Sequence, residues 1–203
     1  MVAIDCYAPR VSIPSLDIDS GRLPRSRHVC DEASVKARFV DHPDFGDSTT
    51  RKNIWGEFES SRELIQSITR IHSIWFAGSF ISNKIEPSDI DVTFIINALD
   101  YESAPDEDRV IVESFARLAR PPHGNKYRTS GFKLVDSFLI PWKPIPDLDP
   151  EHGGVELSYC SNRGYWDDFW LRERSGSKED PLVAEDSFPR RGYLEVNIDA
   201  YSA

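Results

Sequence analysis

Cysteine is scarce, with only Cys6, Cys30 and Cys160 in 203 residues. The number is odd and no His or Cys neighbours them at zinc-binding intervals, which excludes a disulfide scaffold and a structural zinc module. Long apolar runs are also missing. The first twenty residues carry Asp5, Arg10, Asp17 and Asp19 in place of the continuous apolar stretch of a signal peptide. Nothing later approaches the roughly 20 apolar residues of a membrane span. A cytoplasmic protein with no membrane association is expected. Basic residues are outnumbered, 24 Lys and Arg against 34 Asp and Glu, for a formal charge of -10. Such a surface repels polyanions as a whole, so any contact with nucleic acid has to be local. No internal repeat is present. The 39% of hydrophobic residues is enough to bury one core.

Residues 1–27, rich in Pro, Ser, Arg and Asp, read as an extended N-terminal arm, and residues 28–203 as a single domain. Asp31 is an N-cap signal for a short helix over Glu32 to Phe39. From Thr50 to about Thr69, Ile54, Trp55, Phe58, Leu64, Ile65 and Ile68 recur at helical spacing. Strands are expected at Ser73 to Ala77, Asp89 to Ile96, Phe132 to Ile140 and Gly192 to Ile198. An acidic loop, Asp100 to Asp108, precedes a helix marked by Val110, Ile111, Phe115 and Leu118 that ends before Pro121-Pro122. A long loop with Pro141, Pro144, Pro146 and Pro150 follows Ile140. Tyr165, Trp166, Phe169 and Trp170 suit a short helix whose aromatic stripe faces the core.

The richest segment runs from Gly78 to Val92, G-S-F-I-S-N-K-I-E-P-S-D-I-D-V. A strand ends in Gly78-Ser79, a short turn follows, and a new strand opens with Asp89-Ile90-Asp91. Residues two apart on a strand share a face, so the two carboxylates project together. They repel unless a cation lies between them, and an oxygen-only ligand set suits Mg²⁺, which fills its other positions with water and substrate phosphates. Gly78 lets backbone approach a triphosphate, Ser79 donates a hydroxyl, and Lys84 and Ser88 lie in reach of the same oxygens. Asp136 stands alone among apolar neighbours in F-K-L-V-D-S-F-L-I and is the candidate third carboxylate, with Glu195 its rival. The five histidines are scattered, and His123 reads as an ordinary loop residue.

In this segment the chain resembles the nucleotidyltransferase superfamily typified by DNA polymerase beta, whose signature is Gly-Ser, a short spacer and Asp-x-Asp between apolar residues. It is most similar to small bacterial nucleotidyltransferase-like proteins, in which apolar-Gly-Ser-Phe, a Lys and Pro-x-Asp-apolar-Asp-Val recur. Weaker similarity extends over residues 21–200, including a closing strand after Arg191-Gly192. The resemblance implies an α/β (α+β) nucleotidyltransferase fold, a mixed sheet with helices packed on one face. It also implies two Mg²⁺ ions held by Asp89, Asp91 and Asp136, and an NTP such as ATP as substrate. The reaction would move a nucleotide monophosphate to a hydroxyl on tRNA, protein or a small molecule. A toxin-antitoxin or phage-defence pair with a cognate partner protein is the context it suggests. This chain lacks the Arg and second Gly that often follow the family's Gly-Ser pair. The competing expectation is a catalytically weak or inactive protein of the same fold that binds and regulates a basic partner.

Overall fold

The computed structural model describes residues 12–118, 132–144, 155–177 and 179–199. Six strands form one mixed sheet: β1 (Arg27–Cys30), β2 (Ile71–Ala77), β3 (Ile90–Asn97), β4 (Ala116–Leu118), β5 (Val135–Trp142) and β6 (Tyr193–Asn197). Their order across the sheet is β1-β6-β2-β3-β5-β4. β2 runs antiparallel to β3 and β6, whereas β3, β5 and β4 are parallel to one another and β1 is parallel to β6. The central strands β2 and β3 are buried almost throughout, as their continuous β-branched and aromatic runs require.

Among the described residues five α-helices accompany the sheet: α1 (Glu32–Phe39), α2 (Arg51–Gln66), α3 (Ala98–Ser103), α4 (Asp106–Phe115) and α5 (Val155–Leu171). Asp31 caps α1 by accepting from the Ser34 amide. α2 lays Trp55 and Phe58 on one face of the sheet, with Phe58 edge-on to Phe76 at 4.9 Å and parallel to Phe94 at 6.3 Å. The other face is covered as well. There Trp166 and Trp170 of α5 pack on Phe138 at 4.0 and 5.8 Å, and Trp170 Nε1 donates to Thr93 Oγ1 at 2.9 Å.

Helices on one face only is therefore the expectation that needs correcting. α5 is also longer than the expected short helix, and its aromatics divide: Trp166 and Trp170 are buried, while Tyr165 and Phe169 stack on each other at 5.8 Å, about 40% exposed. The helix around Val110 ends at Phe115, and Leu118 belongs to β4. Val112 and Phe115 form its buried stripe, whereas Val110 and Ile111 are exposed. Pro141, read as the start of a loop, lies inside β5. It sits beyond the stretch that pairs with β4, Ser137 to Leu139, where a missing N–H breaks no ladder bond on that side. In the N-terminal arm Leu23 is a core residue, and Arg27 already belongs to β1.

Candidate functional site

The parallel register of β3 and β5 places Asp91 directly beside Asp136. Opposite residues on neighbouring strands share a face, and this is the α5 face, since Thr93 and Phe138 follow in the same register. Both acids sit near the starts of their strands, where β2 ends in Ala77 opposite Asp91. Gly78 then leaves the sheet with φ +74, and a Cβ built there would lie 1.7 Å from Asp91 Oδ2. The Asp91 carboxylate thus occupies the space that only glycine leaves, and the left-handed backbone makes the same demand. Changing Gly78 to Ala should displace that carboxylate and strain the turn. We expect loss of thermal stability of about 1–3 kcal/mol, measurable by denaturant unfolding.

The remaining acids are placed differently. Asp89 lies just before β3, half-buried, and accepts from Ser88 Oγ at 3.2 Å. No group of three or more His, Cys, Asp or Glu side chains is gathered at metal-binding geometry among the described residues. The structure therefore brings Asp91 and Asp136 together without closing all three acids into one cluster. Glu195 is on β6, across β2 from β3, and is already engaged. It accepts from Ser73 Oγ at 3.1 Å and Trp75 Nε1 at 3.0 Å, and pairs with Arg27 at 3.2 Å. Ser79 is half-buried, and its carbonyl accepts from Ser82 Oγ at 2.6 Å. Lys84 and Ser88 are exposed, and His123 lies outside the described residues.

What holds the turn between Gly78 and Asp89 is Arg51, whose role the sequence pattern does not announce. This side chain is 1% exposed. Its guanidinium donates to the carbonyls of Phe39 (2.7 Å), Phe80 (2.7 Å), Ser82 (3.1 Å) and Lys84 (2.6 Å), and lies 3.8 Å from the Phe45 ring centre. Burial lowers its pKa to about 10, partly offset by Glu86. A signal was present in the sequence: a cation in the first turn of a helix opposes the helix dipole, so Arg51 needed another reason to be there. Glu86 reaches the same helix start from the turn, accepting from the amides of Thr49 at 2.9 Å and Thr50 at 3.2 Å. The carboxylate thus supplies the negative charge that the N-terminus of α2 favours.

These bonds to Thr49 and Thr50 hold the Glu86 carboxyl below its ordinary pKa. A depressed folded-state pKa stabilises the fold above the unfolded value and loses that contribution as pH falls through the folded value. Wild type should lose thermal stability over that acid interval, and Glu86→Gln should show a shallower loss there. Melting temperature against pH checks this, and parallel curves for the two proteins would contradict the capping role.

Two arginines from opposite ends of the chain reach the carboxylate end of the sheet. Arg191 lies two residues before β6, on the continuation of the strand beside β2. Its Nε donates to Trp170 O at 3.1 Å at the end of α5. Burial pulls its pKa down, against the attraction of Glu173 and of Asp91. Arg22 of the arm is ion-paired with Glu173. Close packing fixes this junction: the Gly192 amide donates to Leu23 O at 2.9 Å, and a Cβ on Gly192 would lie 2.1 Å from Pro24 O.

A family model described as "Family of unknown function (DUF6932)" matches residues 14–197. The chain belongs to this family. The matched span runs from the arm through β6 and so contains Arg22, Arg51, Gly78, the three acids and Arg191. No curated protein and no solved structure matches the chain. Among the described residues no helix is long and apolar enough to cross a membrane.

Proposed function

We propose that this protein is a Mg²⁺-dependent nucleotidyltransferase with a DNA polymerase beta-type fold, moving a nucleotide monophosphate from an NTP to an acceptor hydroxyl. The observation that carries the proposal is the adjacency of Asp91 and Asp136 on parallel strands, with the Asp91 carboxylate filling the space beside Gly78. An all-carboxylate donor set next to a left-handed glycine turn fits hard divalent cations and a phosphate substrate. Asp91 and Asp136 would hold such ions, with Asp89 just before β3 as the third carboxylate of the set. When bound, the ions stabilise charge on the attacking and departing oxygens.

The chain's own groups then have separate tasks. Backbone N–H groups of the turn after Gly78, with the Ser79 hydroxyl, donate to phosphate oxygens; Lys84 and Ser88 border the same turn. Arg191, held against Trp170 O, adds a buried positive charge to that of Lys84 in the turn. Asp136 accepts the proton of the acceptor hydroxyl as its oxygen bonds to the α-phosphorus, and the bond to the departing pyrophosphate breaks. The cytoplasm and a toxin-antitoxin or defence pair remain the proposed setting.

A second reading is a weakly active or inactive protein of this fold that binds and regulates a partner, and the unclosed three-acid cluster favours it. One experiment separates the two. Labelled NTPs, Mg²⁺ and cell extract are incubated with wild type and with Asp89→Ala/Asp91→Ala. Transfer of label by wild type alone supports the enzyme. Equal labelling by both proteins, or by neither, would count against it.

A further inference from the structure

The segment leading into β6 builds a second feature that the proposed chemistry does not use. Arg25 of the arm and Phe188, Pro189 and Arg190 line an open groove of about 620 Å³. Phe188 is 57% exposed, a large apolar ring left in solvent. The walls are held in place. The amides of Arg190 and Arg191 both donate to Leu171 O, Pro189 bridges Arg172, and the arm is tied down through Gly192 to Leu23. Arg190 gives one donor to Glu185 O at 3.1 Å and keeps the rest of its fork, and Arg25 is exposed.

The groove lies one residue along the chain from Arg191, which feels the charge of Asp91. Arg190 and Arg191 are consecutive, so their Cα atoms are about 3.8 Å apart. Arg191 turns toward Trp170 and Asp91, and Arg190 toward the groove. On a protein of net charge -10, two guanidinium groups flanking an exposed phenyl ring and a proline form a local exception. Guanidinium forks match phosphate oxygens, and an aromatic face accepts a base of any identity. At physiological ionic strength charges beyond about 8 Å are screened, and of the nearby acids Glu185 and Asp186, Asp186 is engaged by Ser175 and the Val183 amide.

We infer that this groove binds the end of a single-stranded nucleic acid, with a base on Phe188 and Pro189 and flanking phosphates on Arg25 and Arg190. Its meaning as the acceptor track rests on the nucleotidyltransferase reading; the binding itself does not. Fluorescence anisotropy with a short 5′-labelled single-stranded RNA, and with DNA of the same sequence, tests it. Wild type should bind at least one of them, more weakly as salt rises. Phe188→Ala and Arg25→Glu should each weaken binding about tenfold. Circular dichroism of these exposed-site variants checks that the fold persists. The binding measurement contains neither NTP nor Mg²⁺, so a failed transfer assay leaves this result standing. No binding of either strand, unchanged affinity in both groove variants, or displacement by a mononucleotide or an acidic peptide at equal concentration would overturn the inference.

Discussion

Replacing Asp136 with Asn should reduce nucleotidyl transfer about a thousandfold while the folded state persists. The change preserves shape and removes one negative charge. A ligand charge beside a divalent cation is worth several kcal/mol of transition-state stabilisation, and each 1.36 kcal/mol is a factor of ten in rate. The carboxamide also cannot take the acceptor proton, so the loss should fall mainly on kcat. Asp136 is half-buried at the start of β5, beside Asp91 in register. Glu195→Gln provides the contrast. That acid is tied to Ser73, Trp75 and Arg27 on β6, so its loss should lower stability more than turnover. Steady-state kinetics with thermal melts on both variants separates the two roles. A Glu195 variant that is inactive at full stability, with Asp136→Asn unimpaired, would reverse the assignment.

The largest stability effect should come from Arg51. Arg51→Ala removes a buried fork that satisfies four carbonyls from two segments. Orphaning buried polar groups on this scale costs roughly 3–5 kcal/mol. For a domain of this size that corresponds to a melting point lowered by about 10 °C or more. Lys has neither the planar fork nor enough donors for four acceptors, so Arg51→Lys should recover only part of the loss. Because the fork fixes the turn between Gly78 and Asp89, both variants should bind NTP more weakly even where they remain folded. Thermal melts and nucleotide titrations at low temperature measure the two effects. A change of less than about 1 kcal/mol in Arg51→Ala would mean that the turn is held by other contacts.

The part of the candidate site legible in the sequence is the part carried by neighbours in the chain. Gly78, Ser79, Asp89 and Asp91 fall within one short segment, where strand alternation alone sets which side chains share a face. Asp136 was visible because an acid among apolar strand residues requires a reason. Its pairing with Asp91, in contrast, depends on β3 and β5 being adjacent and parallel, and no local pattern encodes that register. Arg51 and Arg191 act at long range, and apart from the unfavourable place of Arg51 at a helix start both resemble ordinary surface cations in the sequence. The second covered face of the sheet was missed because α5 is only weakly amphipathic and contains Gly164, so only its four aromatics stood out. In the buried pair, Trp166 and Trp170 pack on Phe138, and Trp170 also donates to Thr93.

Calorimetric titration of Mn²⁺ into the protein with a non-hydrolysable ATP analogue addresses the carboxylate site most directly. Wild type should bind the ion only with the analogue present, and Asp91→Ala and Asp136→Asn should each abolish the heat. Equal binding by wild type and both variants, or none by wild type, would contradict a metal-nucleotide site at Asp91 and Asp136.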